Sequence, residues 1–299
     1  MEKRLYINNI GGKRADTSIS ELSNMSRSFI IDLIDKNLVL VNGQSVKKSA
    51  KLNINDEIII YIPEEELPDL TPKNIPFNIL LDRDNFAVID KPAGLTVHPA
   101  PGNYSDTLVN ALLYTFVIDD KDNDFRPGIV HRLDKDTSGV MVIAKNAEYR
   151  AKLSELFSNR KVSKKYYALC MGNPKFQEKL VEAPIGRDKR NRQKMAVVEN
   201  GKKAVSFFRV IERYKKGFLA EVELFTGRTH QIRVHAASIG HSLIGDSLYG
   251  GKELFNFTRQ ALHSHFLEFY APVTEELISI SSKMPKDMVE LQENLKRES

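Results

Sequence analysis

"GIVHRLDKDTSGVMVIAKN", residues 128–146, sets the problem for the whole chain. Two apolar runs of strand character flank a polar knot. They are Gly128-Ile129-Val130 and Val140-Met141-Val142-Ile143-Ala144. The knot holds His131, Arg132, Asp134, Lys135, Asp136, Thr137 and Ser138, and Gly139 closes it. In extended backbone Asp134 and Asp136 share one face. Two carboxylates together fit a glycosidase pair or a metal site. Arg132, Lys135 and His131 crowd them with positive charge, and a carboxylate in such company stays ionised at neutral pH. That suits a nucleophile or an electrostatic role and suits a general acid poorly. The other reading is a buried ion-pair turn that orders the sheet. The residues alone leave both open.

The chain has 299 residues, enough for one large domain or two with a sizeable core. Apolar residues make up 41% and charged residues 28%, which places it among soluble globular proteins. No apolar run approaches the roughly 20 residues of a membrane span. The first residues, Met-Glu-Lys-Arg-Leu-Tyr-Ile, carry no signal-peptide core. Cys170 is the single cysteine, so an intrachain disulfide is ruled out and no histidine spacing completes a zinc set with it. These features predict a cytoplasmic protein with no metal and no membrane partner.

The net charge of +5 is modest, so its distribution matters more. Residues 159–216 hold 17 Lys and Arg against 5 Asp and Glu, a local charge of +12. Within them Arg187, Lys189, Arg190, Arg192 and Lys194 put five cations in eight positions. A solvated loop and a surface for a polyanion such as RNA both fit, since each neutralised phosphate releases a counterion.

Residues 1–62 read as a small unit. Ser26 opens a helix with Phe29, Ile30, Leu33 and Ile34 at helical spacing. Strands at 38–41 and 56–62 follow, with a turn at Asn42-Gly43. Residues 63–76, "PEEELPDLTPKNIP", carry four acids and four prolines and read as a flexible linker. From residue 77 to 299 short strands mix with helices. Strands are expected at 86–91 and again after the Lys-Pro-Ala-Gly turn, and at 163–172, 204–214 and 218–225. Helices are expected at 106–116, 147–159 and 229–240. With no glycine fingerprint and no regular strand–helix alternation, the pattern predicts an α+β fold with a mostly antiparallel mixed sheet.

"HRLDKDTSGVMVIAKN" resembles the His-Arg-Leu-Asp-x-x-Thr-Ser-Gly signature of the RluA/RluD family of pseudouridine synthases. Four more blocks match in family order: "DKPAGLTVHP" (90–99), "SKKYYALCMG" (163–172), "TGRTHQIRVHAASIGHSLIGDSLYG" (226–250) and "RQALHSHFLEF" (259–269). "VHPAPGNYSDTLVNALL" (97–113) is most similar to the RluD branch, with Asp106 standing where that branch has glycine. Residues 13–60 resemble the S4 RNA-binding domain, through Arg-x-Asp, Ser-Arg-Ser and the Val-x-Val-Asn-Gly turn.

The resemblance implies uridine-to-pseudouridine isomerisation in large-subunit (23S) ribosomal RNA by a monomer, without cofactor or metal. The N1–C1′ bond breaks, the uracil turns, and it rejoins through C5. Matching residue by residue, Asp134 is the nucleophile or base, Arg233 its ion-pair partner, and Tyr166 the tyrosine that stacks on the base and helps move the C5 proton. Arg132 helps extrude the nucleotide, because the base must leave its stack first. Arg228 competes with Arg233 for Asp134. Lys91 and His131 are expected around the pocket. Arg27, Lys36, Lys47 and Lys48 are the S4-type phosphate candidates, joined by Arg187, Lys189, Arg190 and Arg192. Asp136, Thr137 and Ser138 are expected to build the turn through nearby backbone. Three other readings compete: a non-catalytic rRNA-binding or assembly protein, a relative acting on other 23S or tRNA uridines, and an S4-linked methyltransferase. The last would need a glycine-rich cofactor loop that is absent.

Overall fold

The computed structural model describes residues 1–63, 68–100, 103–120, 126–191 and 194–299. The chain divides into two compact units, Met1–Leu67 and Pro68–Ser299. The first contains β1 (Glu2–Ile7), α1 (Ala15–Ser23), α2 (Arg27–Asp35), β2 (Val39–Val41), β3 (Gln44–Ser45) and β4 (Glu57–Ile62). Its antiparallel sheet runs β1-β4-β2-β3. The Ser26 side chain accepts from the Phe29 N–H and caps α2. Ile30, Leu33 and Ile34, one stripe of α2, pack with Ala15, Ile19, Val39, Ile58 and Ile60 in a core of their own.

The second unit contains β5 (Asn78–Asp82), β6 (Phe86–Lys91), α3 (Leu108–Thr115), β7 (Ser138–Ala144), α4 (Ala147–Ser158), β8 (Ser163–Met171), β9 (Glu178–Glu182) and β10 (Ile185–Arg187). It continues with β11 (Met195–Val197), β12 (Val205–Arg213), β13 (Gly217–Leu224), α5 (Gln231–Ser238), β14 (Leu262–Tyr270), β15 (Leu277–Ser281) and α6 (Lys286–Arg297). Nine strands form one mixed sheet in the order β5-β6-β7-β14-β8-β13-β12-β9, with β15 paired to β14. Only β7 and β14 run parallel within it. The expected α+β class with a mostly antiparallel sheet is what the chain adopts. Among the described residues no helix is long and apolar enough to cross a membrane.

Every residue of β7 is buried, which explains its unbroken apolar run. Met141 and Ile143 face a core with α3 and α5, and Val140, Val142 and Ala144 face one with α4. The expected partner strand at 128–130 does not form. β6 pairs along one edge of β7 and β14 takes the other only at Ser138 and Gly139; residues 128–131 meet the rest of that edge through one Ile129–Ile143 bridge, an Ala144 N–H to Gly128 O bond and the His131 ring, too few pairings for a strand. The second short strand expected after Lys-Pro-Ala-Gly is also missing; residues 92–99 form turns and bends.

The stretch expected to be a free linker is tied down from Pro68 onward. The Asp69 N–H donates to Tyr104 O, and Asn110 Nδ2 donates to the carbonyls of Asp69 and Thr71 at 2.8 and 2.9 Å. Asn110 is also the third residue of the α3 capping box. Asp106 shows why it can stand in place of glycine. Its φ is +56°, in the left-handed region that Asp tolerates, and its carboxylate takes Lys73 Nζ at 3.0 Å.

Gly139 has φ +119°, and a Cβ there would collide with the backbone of Ser264 on β14. We expect Gly139→Ala to cost on the order of 3 kcal/mol or more, the range of strain inside a core, measured by urea denaturation.

Candidate active site

The polar knot sits at the N-terminal end of β7 as a turn, closed by a Thr137 N–H to Asp134 O bond of 3.1 Å. Three anchors hold it. Lys91 Nζ and the Gly94 N–H both donate to Lys135 O, at 2.9 and 3.0 Å. Arg259 Nη1 donates to Asp136 O at 3.0 Å, and Ser138 Oγ bonds His263 Nδ1 at 3.0 Å. Thr137 Oγ1 accepts from Gln260 Nε2. The Thr137 and Ser138 side chains thus bind the β14 segment and not the nearby backbone expected of a turn builder. Asp134 and Asp136 do not share a face, because the segment is not extended.

Arg233, the third residue of α5, reaches Asp134 from the other side. Its Nη1 donates to Asp134 Oδ2 at 3.1 Å. Its Nε and Nη2 donate to the two oxygens of Asp246 at 2.7 and 2.9 Å. Burial works against the guanidinium charge, but Asp246 and Asp134 outweigh it and raise its pKa. The fork to Asp246 fixes the plane of Arg233 and leaves one nitrogen for Asp134. Arg228 is not the partner: its Nε donates to Lys203 O at 3.0 Å while its side chain lines the cleft.

His230 precedes α5 with φ +55°. Its Nδ1 lies 2.8 Å from Tyr249 Oη, which also accepts the Met195 N–H at 2.9 Å. The phenol thus bridges the imidazole to the start of β11, and in the neutral imidazole the tautomer sets which of the two groups donates. Nε2 lies 3.9 Å from Asp134 Oδ2. Burial lowers the His230 pKa, against the pull of Asp134, and favours that neutral form. Sequence reading passed over His230, Tyr249 and Asp246. The Gly-Asp-x-x-Tyr-Gly ending of the 226–250 block held the signal for two of them.

Asp134, His230 and Arg233 border a cavity of about 460 Å³. Arg132, exposed at its mouth, lines it with Arg160, Lys164, Arg228 and Arg233, and Asp134 is the one carboxylate among its lining residues. Tyr166 on β8 also lines it; burial pushes its phenol up to about 12, Ser264 opposes this and Asp134 adds to it.

Of two residues expected around the pocket, Lys91 is structural instead, and His131 lines the cavity with a ring nitrogen already engaged. Lys91 is fully buried and does not line the cavity. Its Nζ donates to the carbonyls of Pro92, Leu95 and Lys135 at 2.8, 2.8 and 2.9 Å. Three acceptors match the three hydrogens of an ammonium, while burial, against the pull of Asp136 and Asp134, pushes its pKa down to about 7. His131 turns one ring edge to the cavity, but its Nε2 accepts the Val142 N–H at 3.0 Å and its ring stacks on Phe157 at 4.3 Å. Burial, with Lys164 nearby, pushes its pKa down to about 3, so it offers no charge to a substrate.

The basic candidates lie elsewhere. In the first unit Arg27 is held by buried Asp16 at 2.8 Å, Lys36 pairs with Asp32 at 2.9 Å and Lys48 with Asp35 at 3.4 Å, while Lys47 is exposed. The surface pairs of Lys36 and Lys48 are worth about 0–1 kcal/mol, so a phosphate displaces them at little cost. Arg187 ends β10, and Lys189 and Arg190 are exposed in the loop after it; Arg192 lies outside the described residues. Arg187 lines a second, shallower cavity that shares Gly227, Arg228 and Thr229 with the first.

A cation-lined cleft with one fixed carboxylate at its floor is equipment for covalent work on a polyanion, as a nucleic-acid-modifying enzyme needs. Residues 85–238 match the family model for RNA pseudouridylate synthase. Over 287 residues the chain is 39% identical to an uncharacterized RNA pseudouridine synthase of Bacillus subtilis, covering 95% of each chain. Over 292 residues it is 40% identical to the ribosomal large subunit pseudouridine synthase D of Zymomonas mobilis, covering 93% of this chain and 92% of that one. Among solved structures, human RNA pseudouridylate synthase domain containing 4 superposes with a TM-score of 0.58 at 27% identity, over 73% of this chain and 93% of the other. The chain belongs to the RNA pseudouridylate synthase family, whose members isomerise uridine in RNA, as the five sequence blocks implied.

Two outcomes follow from this geometry. Asp246→Ala leaves a buried guanidinium short of its main partner, and we expect a loss of about 3 kcal/mol, read by urea denaturation. The His131 pKa is lower in the folded chain than in the unfolded one, so the unfolded chain takes the proton first as pH falls. The stability it confers is complete above about 6.5 and is lost toward about 3. Thermal unfolding between those limits should be less pH-dependent in His131→Gln than in the wild type.

Proposed function

We propose that this chain converts uridine to pseudouridine in large-subunit (23S) ribosomal RNA, with Asp134 as the nucleophile. The observation that carries the reading is the Asp134–Arg233 bond at 3.1 Å inside a cleft of cations. The relative from Zymomonas mobilis, named for the ribosomal large subunit, supports the choice of RNA.

Arg132 at the mouth helps draw the flipped nucleotide from its stack. The Asp134 carboxylate attacks at the ribose as the N1–C1′ bond breaks, and the uracil leaves carrying the bond electrons. It turns, and C5 bonds to C1′ as the carboxylate departs. The C5 proton is lost and N1 gains one, so atoms balance without a co-reactant. Tyr166 stacks on the base. A phenol pushed up to about 12 stays protonated at neutral pH, so it acts as a hydrogen-bond donor and proton relay and not as a standing phenolate. Arg233 holds the Asp134 rotamer through the reaction.

The first unit serves in this reading as an S4-type RNA module, with Arg27, Lys36, Lys47 and Lys48 on phosphates. The loop with Arg187, Lys189, Arg190 and Arg192 adds contacts beside the cleft. The enzyme acts as a monomer in the cytoplasm, with no cofactor, metal or membrane partner.

Pseudouridine mapping of 23S RNA incubated with wild type and with Asp134→Asn tests this. We expect new pseudouridines with the wild type and none with the variant. Activity surviving in Asp134→Asn would remove the aspartate from its role.

A further inference from the structure

Lys164 is the unexplained group in the cleft. It lies on β8 two residues before Tyr166, so the two side chains leave the same face of the strand. The residue is only 7% exposed, yet it lines the cavity. Among the described residues its Nζ has no hydrogen bond and no carboxylate partner; its one contact of note is the Phe157 ring, 5.5 Å away. Burial alone lowers its pKa, with no nearby charge to offset it. Compare Lys91, equally buried but met by three carbonyls. Its stem is buried while Nζ opens onto the cavity, where an entering anion would meet an unpaired cation.

The neighbours say what arrives. Ser154, Ser158 and Arg160, from α4 and the turn after it, line the same cavity. Arg160 sits there with φ +59°, just past the C-terminus of α4, where the helix dipole already favours a cation. No such end faces Lys164. The lining holds five Lys and Arg against Asp134 alone, and Asp134 is engaged by Arg233. A uracil ring is neutral, whereas RNA brings one phosphodiester per nucleotide.

We propose that Lys164, with Arg160 beside it, forms a subsite for an RNA backbone phosphate adjacent to the target uridine. The inference rests on the reading of the cleft as an RNA site. The phosphate completes the ammonium's hydrogen bonds in a low-dielectric wall. It therefore fixes the register of the strand so that the flipped base falls between Tyr166 and Asp134. The contact is to the backbone and is blind to base identity. The bound anion also relieves a charge that the free enzyme leaves unmet.

The test is equilibrium binding of a uridine-rich RNA hairpin across a salt series, with pseudouridine read in the same samples. We expect Lys164→Met to weaken binding about tenfold and to lower the slope of log K against log salt by about 0.7, one single-strand phosphate fewer. Lys164→Arg should restore both. The melting temperature of Lys164→Met should equal or exceed that of wild type, because a partly desolvated and unpaired cation is gone. An unchanged salt slope in Lys164→Met overturns the proposal and leaves the lysine a packing partner of Phe157. Should that variant fail to fold, Lys164→Gln reads the same slope. Wild type that binds with the full slope yet forms no pseudouridine counts against the isomerase function and for the subsite.

Discussion

The site depends on how one guanidinium is divided. Arg233 gives two of its nitrogens to Asp246 and one to Asp134. Asp246 and Arg233 are buried, and their pairing sets the plane of the fork before any substrate is present. What remains for Asp134 is a single directed bond of ordinary length. A carboxylate held by both forks would be locked; one held by a single nitrogen keeps an oxygen for chemistry. The arginine is stacked over the Tyr249 ring at 5.0 Å, which closes off its remaining freedom. Tyr249 in turn ties His230 and the start of β11 to the same spot.

The turn carrying Asp134 is equally over-determined. Lys91 and Gly94 clamp the Lys135 carbonyl, Arg259 clamps the Asp136 carbonyl, and Gly139 lets β7 come against β14 without a side chain between them. A turn held at so many points leaves its side chains little room to shift, and small displacements at a reacting centre are costly in rate. The polar residues of the knot are therefore split in function. Asp134 and Arg132 face the cleft, and Lys135, Asp136, Thr137 and Ser138 anchor the turn.

Much of this was legible in the sequence because the informative residues lie in short contiguous blocks. Asp134, Tyr166 and Arg233 each sit in such a block, and the cleft gathers all three. The sheet was legible too, from the unbroken apolar run of β7 and the alternation of β8, β12 and β13. The failures share one cause: a side chain's partners come from distant sequence. Lys91 and His131 look like pocket groups in a linear reading, yet the carbonyls and the amide that consume them are fixed only by the tertiary fold. Residues 128–130 have strand composition, but they meet β7 at one bridge only, because the His131 ring takes the next amide along that edge. The proline-rich stretch from Pro68 has linker composition, and Asn110, some forty residues on, holds it down. Asp246 could be read only as a block ending, because nothing local shows that it belongs to Arg233.

The lone parallel pair in the sheet has a bearing on how the molecule comes into being. Parallel strands cannot be joined by a tight turn, and β7 meets β14 only after a long excursion of chain. The links from the knot to its anchors at and just before β14 span 123 to 125 residues. Such high contact order makes closure of this seam a late event, after the locally paired hairpins such as β12–β13 have formed. On a chain made from its N-terminus, Asp134 emerges long before Arg259, Gln260 and His263 exist to hold it. The turn that carries Asp134 thus gains its β14 anchors only when the last strands of the chain are synthesised.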